Sequence, residues 1–181
     1  MRIAVIGPQN TGKSTFIKDF LKEFSHYKVQ NKTYRDVVKE KGLSINQLTG
    51  LDSQKAIRDF MFSQIKENKE HNFIFDRCLI DNYVYTYVKY EQGEISKKFV
   101  EETEKLLIDS LKYIDIYFFI PTSASVALVN DGTRDVDTLY IDAVNNAFLS
   151  ILFELSKKHN INVKVISGTR EHRIKQVKKI V

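Results

Sequence analysis

Apolar residues follow two rhythms along the chain. Short, nearly continuous runs at 2–6, 27–31, 73–75, 114–120 and 163–166 read as buried strands. Between them, apolar residues recur at helical spacing. Ser14–Leu21 forms one such stretch. A second segment, 33–38, turns into a helix that Gly42 ends. Ala56, Ile57, Phe60, Met61 and Ile65 make one stripe behind an Asp52 or Ser53 cap. Another follows a Ser96 cap and carries Phe99, Leu106, Leu107 and Leu111. The longest has Ile141, Val144, Phe148, Ile151, Leu152 and Leu155 on its buried face. Segment 80–88 fits both rhythms: its tyrosines alternate as in a strand, yet Ile80, Tyr83, Val84, Tyr87 and Val88 form a helical stripe. We assign it as helix, because a crossover must return the chain to the next parallel strand. Strands alternating with helices predict an α/β fold with a mostly parallel sheet covered on both faces.

The first strand runs into Gly7-Pro8-Gln9-Asn10-Thr11-Gly12-Lys13-Ser14, which fits the phosphate-loop pattern G-x-x-x-x-G-K-S/T and opens a helix. Strand, loop and helix stand in the order that a nucleotide site requires. The glycines Gly7 and Gly12 let backbone N–H groups from Asn10 through Thr15 turn inward around a phosphate, and the helix N-terminus adds its positive end. Lys13 would reach the β- and γ-phosphates. The Ser14 hydroxyl would be an oxygen ligand for Mg²⁺. A lysine at a helix N-terminus opposes the helix dipole, so it has no attractive structural explanation. The sequence therefore predicts binding of a nucleoside triphosphate.

Phe73-Ile74-Phe75-Asp76-Arg77 is a strand that ends in a carboxylate and a guanidinium. Carboxyl ends of parallel strands share one edge, so Asp76 and Arg77 should face the crevice of the phosphate loop. That placement suits a metal shell or a substrate hydroxyl; the plainer alternative is that Asp76 caps the next helix and pairs with Arg77. Asp115 begins its strand and belongs to the opposite edge, a structural position. Asn31-Lys32-Thr33-Tyr34 superficially resembles the guanine-reading N-K-x-D motif, but it lacks the aspartate and lies too early, which argues against a GTPase.

Length and charge narrow the picture further. At 181 residues the chain suits a single domain over 1–181, and 43% hydrophobic with 28% charged residues is ordinary globular composition. The first residues leave no room for a cleaved signal, and no apolar stretch spans a bilayer, so a cytoplasmic protein is expected. The one cysteine, Cys78, excludes an intrachain disulfide, and four scattered histidines lack metal-ligand spacing. Any metal should arrive with the nucleotide. Net charge is +5, with Arg170, Arg173, Lys175, Lys178 and Lys179 clustered near the C-terminus, either a nucleic-acid surface or a solvated helix face.

Taken together, Gly7–Ser14, Tyr34-Arg35, Asp76-Arg77 with Asp81 and Tyr83, Asp131-Gly132-x-Arg134 and Ser167-Gly168-Thr169-Arg170 resemble the small P-loop kinases of the AAA-type group that includes the NadR nicotinamide riboside kinase domain. More distantly the chain is similar to thymidylate and deoxynucleoside kinases. The resemblance implies a P-loop NTPase fold with a five-stranded sheet, and transfer of the γ-phosphate of ATP, with Mg²⁺, to a small nucleoside or nucleotide acceptor. It implies that Asp76 holds the Mg²⁺ water shell or acts as general base, and that Arg77 meets acceptor or phosphate charge. Arg134 would take the place of a lid arginine, and Gly168 and Arg170 would lie in an adenine-side loop. Tyr34, Arg35, Asp81 and Tyr83 become candidate acceptor residues; Asp81 as a helix cap, Tyr34 and Tyr83 as packing aromatics and Arg134 as a turn ion pair are the structural alternatives. Relatives that act on ribosides tend to carry a carboxylate shortly before the residue matching Arg35. Asn31, Lys32 and Thr33 stand there instead, which points to a different acceptor, either a deoxy sugar or a group already phosphorylated; a lysine there would suit an anionic acceptor. Two rivals remain: a kinase acting on nucleic acid, and a nucleotide-dependent switch without an acceptor. Related kinases are often dimers, which makes a homodimer one candidate assembly; the sequence itself does not fix the oligomeric state.

Overall fold

The computed structural model describes residues 1–43, 50–122 and 137–181. Its elements run β1 (Arg2–Ile6), α1 (Lys13–Glu23), β2 (Lys28–Val29), α2 (Tyr34–Glu40), α3 (Leu51–Glu67), β3 (Phe73–Asp76), α4 (Leu79–Glu91), α5 (Lys97–Leu111), β4 (Ile116–Phe119), α6 (Thr138–His159), β5 (Val163–Val165) and α7 (Arg170–Val177). The five strands form one parallel sheet in the order β2-β3-β1-β4-β5. This is the α/β architecture expected from the sequence.

Side chains of successive strand residues point to opposite faces. Ala4, Ile6, Phe75, Tyr117 and Phe119 therefore join one apolar cluster, beneath α3, α4 and α6, and Ile3, Val5, Ile74, Ile116 and Phe118 join the other, beneath α1 and α7. Burial on both faces explains why the three central strands β1, β3 and β4 read as continuous apolar runs rather than alternating ones. Segment 80–88 is helical as assigned. Its start is fixed by a capping box in which the Cys78 side chain accepts from the N3 backbone and Asp81 reaches back.

Three local readings change. The strand expected over 27–31 pairs through its backbone at Lys28 and Val29 alone; beyond them the Gln30 side-chain amide takes over, accepting from Asp76 N (3.1 Å) and donating to Asp76 O (3.0 Å). Helix α3 begins two residues earlier than an Asp52 cap and three earlier than a Ser53 cap would place it, with Gly50 as its N-cap residue. Its buried face also holds Ser53, Gln54 and Arg58 beside the apolar stripe. The Arg58 guanidinium lies 4.7 Å from the Phe99 ring and 2.9 Å from Asp59, and the Gln54 side chain bonds Asn82.

The register sets the geometry of the site. Asp76 lies opposite Val5, one position before β1 ends, and the first glycine follows at once. At Gly7 a Cβ would sit 2.3 Å from the Ile120 carbonyl oxygen, so only glycine lets the chain leave β1 this close to the end of β4. Asp115, at the opposite edge, accepts the Arg2 backbone N–H at 2.7 Å, the structural role expected of it.

Candidate functional site

Residues 9–15 of the glycine loop, Thr33, Tyr34 and Arg35 at the start of α2, and Asp76 and Arg77 at the end of β3 line one cleft of about 250 Å³. Three elements distant in sequence deliver these groups to the carboxyl edge of the sheet. Two loop residues have left-handed backbone, Asn10 (φ 60°) and Gly12 (φ 83°), and the second is the N-cap residue of α1. This curl is what turns successive peptide groups around a common centre.

Lys13 is buried, and its ammonium donates to the Pro8 carbonyl and to Thr11 Oγ1 (3.2 Å). Burial pushes it well below the ordinary lysine range and Arg77 adds to the effect, while Asp81 and Asp76 pull the other way. An anion in the cleft would supply the counter-charge that burial demands. Ser14 Oγ donates to Asp76 Oδ2 at 3.2 Å, so one hydroxyl and one carboxylate converge where the loop meets β3. Among the described residues no group of three or more His, Cys, Asp or Glu could hold a metal by itself. Two oxygen donors beside a phosphate cradle fit Mg²⁺, which binds through one or two protein oxygens together with phosphate oxygens and water.

Behind the cleft the loop is held at both ends. At the Gly7 end, Arg77 has left-handed backbone (φ 74°), an uncommon conformation for a residue with a side chain. Its Nη1 donates to Asp81 Oδ1 (2.9 Å) and to the Gly7 carbonyl (3.3 Å). Its guanidinium stands 5.3 Å from the ring of Tyr34 and 5.6 Å from that of Tyr85. Burial alone would lower the Arg77 pKa; Tyr34, Tyr85, Asp81 and Asp76 outweigh it and keep the group charged. Burial pushes the Asp81 carboxyl up, against Arg77, Lys13 and the N–H groups of Cys78 and Gly7. The Tyr85 hydroxyl, raised by burial to about 12, accepts the Gln9 N–H at 3.1 Å. At the Gly12 end, Arg173 of α7 donates to the Thr11 carbonyl (2.8 Å) and the Gly168 carbonyl (3.0 Å).

Of the residues singled out from sequence, Asn10, Thr11, Gly12, Lys13, Ser14, Thr15, Tyr34, Arg35, Asp76 and Arg77 line the cleft. Asp76 is not the cap of α4, whose N-cap residue is Cys78. Four candidates are placed differently. Asp81 is fully buried beneath the loop, accepting from Gly7 N (3.2 Å), Cys78 N (3.1 Å) and Arg77, so it is a helix cap and a brace with no face open to an acceptor. Tyr83 faces a separate groove of about 590 Å³ between α4 and α6. Arg170 turns to α1, where it grips Asp19 with two bonds of 2.8 and 2.6 Å. Gly168 does not line the cleft; its carbonyl accepts from Arg173, which in turn holds the loop. Arg134, with Asp131 and Gly132, lies outside the described residues.

The basic C-terminal cluster is therefore divided. Arg170 is paired with Asp19, Arg173 is buried, and Lys178 pairs with Glu23 at 2.6 Å. Sequence reasoning missed Gln9, Gln30, Thr33, Tyr85 and Arg173. A signal existed for Tyr85: it stands four residues after Asp81, on the same side of α4. Nothing local marks Arg173, which reaches the loop from across the whole sequence.

The sequence matches the AAA domain family over residues 2–173. The chain belongs to this family. No curated protein matches it. Among solved structures, this AAA-domain chain is similar to deoxyadenosine kinase from M. mycoides, with 17% identity over 99% of this chain and 98% of that one and a TM-score of 0.72. Thymidylate kinase from Candida albicans is similar at 18% identity, covering 99% and 89% of the two chains with a TM-score of 0.68. The NadR protein in complex with NR is similar at 16% identity and a TM-score of 0.69; the match covers 98% of this chain and half, 50%, of that one. At these identities the likeness establishes a shared fold. No helix of the described residues is long and apolar enough to cross a membrane.

Proposed function

We propose that this protein is a kinase that transfers the γ-phosphoryl group of ATP, with Mg²⁺, to a nucleoside, a nucleotide or a related riboside. The observation that carries this reading is the convergence of Lys13 and Ser14 with Asp76, Arg77 and Arg35 on one cleft. A loop built to bind phosphates thus shares its space with a carboxylate and two guanidiniums delivered from other elements. Phosphoryl transfer asks little covalent chemistry of a protein; it asks for alignment and for positive charge where negative charge gathers. When bound, Mg²⁺ would add charge stabilisation at the phosphate oxygens. Ser14 and Asp76 supply the oxygens to hold it, and Asp76 is also placed to accept a proton from an acceptor hydroxyl.

The acceptor would lie on the α2 side. Arg35 extends there beside Tyr34, its guanidinium 5.7 Å from the ring, with no acidic partner among the described residues. A guanidinium held by Tyr34 and by no carboxylate among the described residues, in a cleft whose other cations serve the loop, favours an acceptor that already carries negative charge, such as a nucleoside monophosphate. Burial of Arg173 and the pairing of Arg170 and Lys178 with acids of α1 reduce the basic surface that supports action on nucleic acid, while Lys175 and Lys179 stay exposed.

The test is transfer of label from γ-labelled Mg·ATP to a panel of ribonucleosides, deoxynucleosides, their monophosphates, nicotinamide riboside and 5′-hydroxyl oligonucleotides, with Lys13→Ala as the blank. We expect label on a small acceptor, with monophosphates ahead of nucleosides. Label released only as free phosphate would overturn the kinase reading, and label only on oligonucleotides would replace its acceptor.

A further inference from the structure

Arg173 is 5% exposed and has no acidic partner among the described residues. A buried cation without a counter-ion is costly, and here it is offset only by two backbone carbonyls. One of them belongs to Thr11. In a planar trans peptide the C=O and the following N–H point in opposite directions. A guanidinium that holds the Thr11 carbonyl away from the cleft therefore turns the Gly12 N–H toward it, and polarises that peptide into a stronger donor. The fit is close: a Cβ on Gly12 would come within 3.3 Å of Arg173 Nη1, so the second loop glycine is also the space the guanidinium uses. The second carbonyl, Gly168, ties the same guanidinium to the segment that follows β5.

We propose that Arg173 is a positioning residue for the triphosphate, fixing the Thr11–Gly12 peptide with its N–H toward the phosphates and lending positive charge from behind the loop. Its own charge is compensated when the phosphates are bound. The inference rests on the nucleotide-binding part of the function proposed above. Burial lowers the Arg173 pKa, in keeping with a cation that lacks a carboxylate and is relieved by an anion.

Calorimetric titration of Mg·ATP and of magnesium tripolyphosphate into the wild-type chain, Arg173→Met and Arg173→Lys tests this. We expect Arg173→Met to weaken both ligands about tenfold or more, the scale of one charge-assisted hydrogen bond. Arg173→Lys, which keeps the charge and loses the fork, should fall between it and wild type. A purely structural arginine would lower the melting temperature and leave both affinities unchanged, which overturns the proposal. Weakening of ATP with tripolyphosphate unaffected also overturns it, because the effect would then pass through Gly168 to the nucleoside end. If Arg173→Met does not fold, Arg173→Lys alone decides: affinities equal to wild type overturn the proposal. A wild-type chain that binds neither ligand overturns the function and this inference together, whereas wild-type binding with indifferent variants overturns the inference alone.

Discussion

Two buried arginines hold the phosphate loop, and their surroundings differ. Arg77 grips the Gly7 end beside Asp81, with the rings of Tyr34 and Tyr85 close by. Arg173 grips the Gly12 end through backbone carbonyls alone. The first charge is compensated within the fold, so the Gly7 end is assembled whether or not a ligand is present. The second is not, so the Gly12 end gains from an anion. On the proposed function, one loop combines a finished anchor with one that a bound triphosphate would complete.

The largest expected effect tests the finished anchor. Asp81→Asn leaves the Arg77 charge buried without its partner, which should cost about 3–5 kcal/mol in urea unfolding. Replacing the pair together by Arg77→Met and Asp81→Leu should recover most of that stability without restoring phosphoryl transfer. A cost below about 1 kcal/mol for Asp81→Asn would mean that the ion pair is not what holds the Gly7 end. Arg173→Met is expected to cost less, about 1–2 kcal/mol, because it strands two neutral carbonyls and no opposite charge. Equal costs for the two would erase the contrast.

Lys13 sharpens the comparison as a third buried cation. Burial disfavours its charged form, so Lys13→Met should leave the ligand-free melting temperature close to wild type or above it while removing nucleotide binding. A steep loss of stability would make Lys13 a structural cation instead. The smallest effect concerns Arg170, three residues before Arg173 and largely exposed. The Asp19 carboxyl is held below its ordinary value of 3.8 by the hydrogen bond from Arg170. The folded chain then binds fewer protons than the unfolded one between these two values. The pair's contribution is therefore complete above pH 3.8 and fades as pH falls through the folded value. Asp19→Asn should differ slightly from wild type at pH 7 and converge with it in acid. A gap that persists at pH 2 would assign the effect to packing.

The same contrast explains what the sequence disclosed. The three central strands were visible because burial on both faces leaves an apolar run, and Gly7–Ser14 was visible because a phosphate cradle constrains residue type at fixed spacing. Asp76 and Arg77 followed from one topological rule about strand ends. Asp81 was found but given two readings, since an acid at the third helical position suits a cap or a ligand equally; burial beneath Gly7 decides for the cap. Tyr83 and Arg170 were drawn in by their neighbours in sequence, and the helices turn both away from the cleft. Arg173 stands 162 residues from Thr11, and a bond between a side chain and a distant carbonyl leaves no pattern in either place. Gln30 was hidden differently, inside a run that looked like strand and ends as a side-chain clamp on Asp76.

The measurement that tests the central claim most directly is calorimetric titration of Mg·ATP into the wild-type chain and Lys13→Met at pH 7. The account predicts a single saturable site in the wild type and its loss in a variant that remains folded. Absence of binding in the wild type, or undiminished binding in Lys13→Met, would contradict it.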